Sequence, residues 1–457
     1  MKKLPFLWLI AVSVFLMLAC STTKKSTGTN STSISTNAST HKNINTISLN
    51  AEKNLLNTPD LAGAHIGIAV YDPTNKKYLY QYQGDKYFIP ASNTKIISCY
   101  VAMKYLGDSL VGLRYVDKGN GTVEVEANGD PSFLHPDFPN QPAYDFLKNK
   151  KIILLTGQNW KSNGWGRGWS WDDYESDYMA QRSMMPIYGN LVQFKKGKEP
   201  IASPNYFQKL VQQDAGISDG LYDINREIGA NHFTVVPASK AFTGTDMPFY
   251  TADSLLLINL LRDTLKNNVV LGNFKLERWP DVVKVHSQPT DSLLKIMMHR
   301  SDNFFAEQCL LMASNELLGE MNTAKLIDTI LKSSLKDLPQ KPKWVDGSGL
   351  SRYNLFSPQD FITVLDKIRN EFAWNRITNI FASGGNGTLG SLYKNSPGKI
   401  YAKTGTLSNN VALSGYIITK QGKTLLFSIL VSNHTGNVTN IRKSVEQFIS
   451  TLMEGQE

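Results

Sequence analysis

Apolar and polar positions change their period several times along this chain, and each change marks an element. HIGIAVYD (65–72) and KYLYQYQ (77–83) are β-branched and aromatic runs that predict two strands around the turn PTNK. Ile96, Ile97, Tyr100, Val101 and Met103 then fall on a helical repeat, predicting a helix from Ser92 to about Leu106. From 112 to 285 the texture is different. GTVEVEANGD, KIILLTGQ and HFTVVPAS are short strand patterns between Gly, Pro and Asn breaks, and GWGRGWSWDDY (164–174) is a Trp- and Gly-rich loop. Helical periodicity returns at Asp291 and predicts two helices broken between Arg300 and Asn303, then a third from Pro358 to Asn370. KIYAKTGT (399–406), ALSGYIITK (412–420) and KTLLFSILVSN (423–433) predict three strands, the last two joined at Gln421–Gly422. A final helix is predicted from Val438 to Met453, with Ile441, Val445, Phe448, Ile449 and Leu452 as its apolar positions. Strands at both chain ends with helices between them predict an α/β fold, an antiparallel sheet with helices, in two parts (49–111 and 286–457). A β-rich insertion (112–285) separates the parts.

The first 48 residues fit neither part. Lys2 and Lys3 precede an apolar run from Leu4 to Ala19 that stops at Cys20. Such a run is short for a membrane span and has the layout of a secretory signal peptide over residues 1–19. Its ending, MLAC, resembles a bacterial lipoprotein signal, which implies lipidation of Cys20; a plain signal peptide with an incidental cysteine is the alternative. Residues 20–48 are rich in Ser, Thr, Asn and Lys, with too little apolar surface to fold, and read as a flexible tether. Together they predict an exported, periplasmic lipoprotein held at a membrane, the outer membrane by expectation, through its N-terminal lipid.

Composition adds mainly exclusions. The 457-residue chain has a net charge of +9, spread along its length without an arginine-rich or aromatic-interleaved block. That is a mildly basic surface, not a nucleic-acid footprint. Besides Cys20, only Cys99 and Cys309 are present, both in apolar helical patterns; they read as buried free thiols, with a bridge between them open in an oxidising compartment. No Cys or His spacing suggests a zinc site.

Candidate chemistry starts at Ser92 and Lys95, three residues apart at a helix start. Alone the pair means little, because a serine is a favoured cap and Ser-x-x-Lys recurs at Ser21, Ser39, Ser292, Ser333, Ser391 and Ser396. Two later motifs, in order, single it out: Ser301-Asp302-Asn303 in the break between helices, and Lys403-Thr404-Gly405 on a strand before a hairpin. This triple is the signature of penicillin-recognising serine acyltransferases. A serine hydroxyl needs a base, and Lys95 one turn along can serve if burial and a second cation, Lys403, keep its amine neutral. Ser301 can relay the proton to the leaving amine, and Asn303 can hold Lys95 and the substrate amide. Lys403 and Thr404 can bind a terminal carboxylate, and Gly405 lets substrate approach the strand edge. The backbone N–H groups of Ser92 and Thr406 would form an oxyanion hole. Asp302 is expected to face away. Asp346, Ser348 and Ser351 read as turn-formers, and the tryptophans at 165, 169 and 171 as packing within the insertion.

On these motifs the chain resembles the class C low-molecular-mass penicillin-binding proteins, the D-alanyl-D-alanine carboxypeptidase/endopeptidase type. GDPSF (129–133), GWSWDDY (168–174), DGSGLSR (346–352), GNGTLG (385–390) and AKTGTLSNNVALSGY (402–416) extend the likeness over nearly all the chain from about residue 50. The resemblance implies a β-lactamase/transpeptidase-like domain carrying the family's long insertion. It implies cleavage of the D-Ala–D-Ala bond of peptidoglycan stem peptides through an acyl-Ser92 intermediate, with no metal or organic cofactor, leaves open cleavage of the cross-link, and makes β-lactams inhibitors. Two departures stand out. Gln158 and Asn159 follow the strand ILLT where family members usually carry an acidic residue, which bears on recognition of the stem's free amine. GSLY stands where an arginine usually follows GTL. A non-catalytic peptidoglycan-binding lipoprotein and a β-lactamase of the same fold remain as alternatives.

Overall fold

The computed structural model describes residues 46–195, 200–216, 222–238, 242–276 and 281–455. The signal peptide, Cys20 and all but the last residues of the expected tether lie outside these. Residues 46–51 are helical and Ile47 is buried with Ala51 and Leu55, so the end of the segment expected as tether packs on the domain instead.

The strands in chain order are β1 (His65–Asp72), β2 (Lys77–Tyr82), β3 (Ser109–Gly119), β4 (Thr122–Ala127), β5 (Ile152–Thr156), β6 (Leu191–Lys195), β7 (Ile201–Ser203), β8 (Val211–Gln213), β9 (Asp223–Arg226), β10 (Phe233–Val236), β11 (Thr245–Pro248), β12 (Asn268–Gly272), β13 (Val283–Pro289), β14 (Ala382–Ser383), β15 (Ile400–Leu407), β16 (Asn410–Ile418) and β17 (Thr424–Ser432). The helices are α1 (Thr94–Tyr105), α2 (Pro142–Lys148), α3 (Ser254–Leu265), α4 (Thr290–Arg300), α5 (Asn303–Leu318), α6 (Thr323–Lys332), α7 (Pro358–Glu371), α8 (Trp374–Ile380) and α9 (Val438–Glu454).

Strands from both chain ends share one six-stranded antiparallel sheet in the order β14-β15-β16-β17-β1-β2. Both its faces are covered. Ala412, Tyr416, Leu426 and Leu430 join the core built by α1, α4, α5 and α7, while Val411, Leu413, Phe427 and Ile429 join the core under α9. Alternate residues thus enter different cores, which is why β16 and β17 are apolar throughout. Helix α1 lies inside the first core with every residue from Thr94 to Met103 buried. Cys99 and Cys309 are buried free thiols on α1 and α5.

Between α1 and α4 the chain builds a second sheet, β12-β5-β4-β3-β13, and two small three-stranded sheets. The β-rich texture is accompanied by helices, for a topological reason. β4 and β5 pair in parallel, so the chain must cross back between them, and α2 is on that crossover.

Candidate active site

Ser92 sits on a single 3-10 turn, Ala91–Asn93, that feeds α1. Its side chain caps nothing, which removes the ordinary explanation for a serine at a helix start. Ala91 takes a left-handed φ of 48°, a conformation that costs an alanine free energy and marks a turn held by its surroundings. The neighbours are tight. A Cβ added at Gly349, itself at φ 86°, would overlap Ala91 O. One added at Gly405 would lie 2.7 Å from Pro90 O and 3.1 Å from Asn93 N. Glycine at 405 therefore lets β15 close on the Ser92 turn, a packing requirement that its position in the motif does not reveal.

Lys95, fully buried, points its Nζ at three acceptors: Ser92 Oγ at 2.9 Å, Asn303 Oδ1 at 2.6 Å and Ser348 O at 2.7 Å. Burial pushes its pKa down to about 8, against the opposing pull of Asp346, Asp302 and Glu307. Lys403 is also fully buried; its Nζ donates to Ser301 Oγ and to Thr404 O, each at 2.8 Å. Burial first, and the Lys95 charge second, hold Lys403 well below the ordinary lysine value. The structure thus gathers the five residues in two hydrogen-bonded sets, Lys95 with Ser92 and Asn303, and Lys403 with Ser301. Desolvation, not the second cation expected from the sequence, lowers the Lys95 value; it is Lys95 that adds to the lowering of Lys403.

Ser301 is left-handed (φ 64°) at the end of α4, which turns its hydroxyl out of the helix and toward Lys403. The capping that could have occupied it falls to Asp302, whose Oδ1 accepts from Phe305 N while Oδ2 pairs with Arg300 at 2.9 Å. Asp302 therefore does not simply face away: it starts α5 and so sets Asn303. Asn303 meets half of its expectation. Its Oδ1 holds Lys95, but its Nδ2 donates to Tyr178 O of the insertion at 2.9 Å, leaving one N–H for a substrate amide.

Thr404 and Thr406 lie on the same strand as Lys403. β14 pairs only with Tyr401 and Ala402, so on that side the edge from Lys403 to Leu407 has no strand partner among the described residues. Thr406 is exposed, and its Oγ1 accepts from Arg442 Nη2 at 2.7 Å.

Several supporting residues were not legible beforehand. Ser348 contributes its carbonyl, not its side chain, to Lys95. The loop that carries it is fixed by two buried carboxylates. Glu307 Oε1 accepts from Gly347 N and Ser348 N, and Asp346 accepts from Gly349 N, Ser351 N and Asn354 Nδ2. Residues 346–351 form a bent loop, tied by the Asp346 side chain, that aims a carbonyl at Lys95. Trp169, expected to pack within the insertion, donates Nε1–H to Asp346 Oδ2 at 2.9 Å, while Trp171 is exposed. Only proximity in the fold, not spacing, could have exposed these contacts. A cavity of about 330 Å³ opens beside Ser301 and Asn303, lined on the insertion side by Asp137, Asp177, Tyr178, Gln193 and Asp246. Gln158 and Asn159 are not among its lining residues; Gln158 bonds Asn273, and Asn159 bonds Ala127 O.

Comparison with known proteins gives the family and the fold. Residues 48–452 match the D-Ala-D-Ala carboxypeptidase 3 (S13) family. The D-alanyl-D-alanine carboxypeptidase DacB of Haemophilus influenzae is 24% identical over 431 residues, 83% of this chain and 88% of that protein. A D-alanyl-D-alanine carboxypeptidase of Actinomadura is 25% identical over 437 residues, 84% of this chain and 80% of the relative. Among solved structures, penicillin binding protein 4 of Haemophilus influenzae superposes with a TM-score of 0.68 at 21% identity, covering 89% of this chain and 98% of that one. The same protein complexed with a β-lactam gives a TM-score of 0.63.

Proposed function

The chain belongs to the D-Ala-D-Ala carboxypeptidase 3 (S13) family, and from that premise we propose that it is a serine-type D-Ala-D-Ala carboxypeptidase acting on peptidoglycan stem peptides. The observation that carries the reading is Lys95 Nζ, buried and 2.9 Å from Ser92 Oγ, with Lys403 bonded to Ser301 on the other side of the site. Neutral Lys95 takes the Ser92 proton as Oγ attacks the carbonyl of the penultimate D-Ala. Donors near the Ser92 turn and Thr406 stabilise the oxyanion. The C–N bond breaks as Ser301, its proton replenished through the two lysines, protonates the leaving amine. D-Ala departs, and water then hydrolyses acyl-Ser92. A cross-linked stem presents the same D-centre amide, so endopeptidase action uses the same steps. A β-lactam acylates Ser92 too, but its leaving nitrogen stays tethered and the acyl enzyme persists.

The N-terminal reading belongs to the same proposal: export on the signal peptide, lipidation of Cys20, and a tether of roughly 30 Å coil span that keeps the enzyme at a periplasmic membrane face, near its polymer.

Labelling with a fluorescent penicillin tests the mechanism. The purified enzyme should carry a long-lived label that Ser92→Ala abolishes. An unlabelled wild type would mark a non-catalytic binder, and rapid loss of label a β-lactamase; either sinks the proposal. Mass spectrometry of muropeptides then separates loss of one D-Ala from dimer-to-monomer conversion.

A further inference from the structure

We propose that Arg442, on the first turns of α9, is a specificity-determining residue that binds the carboxylate of the leaving group; this rests on the carboxypeptidase reading above. Three observations converge on it. First, Arg442 Nη2 donates to Thr406 Oγ1 at 2.7 Å, on the stretch of β15 whose outer edge has no strand partner among the described residues. Second, the guanidinium is otherwise uncommitted. An arginine has five N–H donors, the bond to Thr406 uses one, and no carboxylate lies within ion-pair distance of Arg442 among the described residues. Third, a second exposed arginine serves the same strand end: Arg352 reaches Ser408 O at 3.4 Å in the turn after β15. A cation at the start of a helix also opposes the helix dipole, so this placement does nothing for α9 itself.

The chemistry of the pair is directional. A threonine hydroxyl has one donor and two acceptor positions. Because Thr406 Oγ1 accepts from Arg442, its own proton is released to point elsewhere. The Thr406 O–H and the free N–H groups of Arg442 then form a fork that matches the two oxygens of a carboxylate. The D-Ala released by the reaction carries a carboxylate one carbon from the scissile nitrogen, and so does the D-centre of a cross-linking diamino acid. Lys403 alone would have to supply charge from a buried amine whose protonation is disfavoured. Arg442 supplies a permanent charge at the rim.

The test compares a peptide ending in D-Ala-D-Ala as the free acid with the same peptide as its C-terminal amide, using the full-length enzyme. Arg442→Gln should raise KM for the acid by about tenfold, the worth of one charge-assisted bond. It should leave kcat within about twofold and the amide unaffected, and Arg442→Lys should restore part of the loss. Equal losses on acid and amide would mean a structural role, and no loss on the acid would mean no contact; either overturns the inference. Penicillin labelling of Ser92 in Arg442→Gln, run alongside, separates this failure from failure of the carboxypeptidase reading, because that reading requires label whatever Arg442 does.

Discussion

Acylation of Ser92 should follow the neutral fraction of Lys95. As an ammonium, Lys95 donates to Ser92 Oγ, Asn303 Oδ1 and Ser348 O, and has no lone pair to offer. As an amine it keeps its two N–H groups on Asn303 and Ser348, and the lone pair turns to the Ser92 hydroxyl. The two fixed acceptors thus aim the base. Burial brings the pKa from 10.5 to about 8, which disfavours the charge by about 3 kcal/mol. At pH 7 roughly one molecule in ten then holds the active form, against about one in three thousand for an ordinary lysine. The carboxylates of Asp346, Asp302 and Glu307 pull the other way and stop the value from falling further. The assay is the second-order rate constant for acylation by a fluorescent penicillin, measured from about pH 5.5 to about pH 9.5. It should rise about tenfold per pH unit at the acid end and level off near pH 8. A rate flat between about pH 6 and pH 9, or one still climbing beyond about pH 10, would refute the assignment of Lys95 as the base.

The same shift affects folding. Lys95 titrates lower when folded than unfolded, so between pH 8 and 10.5 the unfolded chain binds more protons and stability rises with pH. Calorimetry across that window should show the rise, and Lys95→Met should remove part of it; an unchanged slope in the variant would assign the effect to other groups. Gly349→Ala forces a side chain at φ 86° into Ala91 O, and should cost about 2 kcal/mol or more in urea melts while slowing penicillin labelling, since Ala91 precedes the nucleophile. Wild-type stability together with wild-type labelling would show that this contact does not hold the Ser92 turn.

What could be read from the sequence depended on distance along the chain. The two strands flanking residue 75, the break at Arg300–Asn303 and the closing strand hairpin with its helix have local signals, and the structure has them within a residue or two. Ser92 with Lys95 also obeys a local rule, one helical turn. Ser301 and Lys403 were legible only because their motifs keep a fixed order, while their meeting, at 2.8 Å, bridges 102 residues. The packing role of Gly405 was not legible because its position within the motif gives no hint that Pro90 and Asn93 lie against it. Asp302 was misread because a capping carboxylate and an idle one look alike in sequence.

Three of the contacts that could not be read share a property: each joins the insertion to the candidate site or to the loop behind it. Arg182 reaches the second oxygen of Glu307 at 3.4 Å, Trp169 reaches Asp346, and Tyr178 O receives the Nδ2 of Asn303. Glu307 and Asp346 are fully buried, and burial pushes the Glu307 pKa up against the charge of Arg182. A buried carboxylate stripped of its cation is costly by several kcal/mol, far more than the pair itself is worth. Glu307 holds Ser348, and Ser348 O holds Lys95. Loss of Arg182 would therefore be felt at the base through Glu307 and one carbonyl. The insertion is then more than a wall for substrate. It completes the electrostatics that keep Lys95 aimed, which is a physical reason for a nucleophile and a base at one end of the chain to depend on residues nearly a hundred positions away.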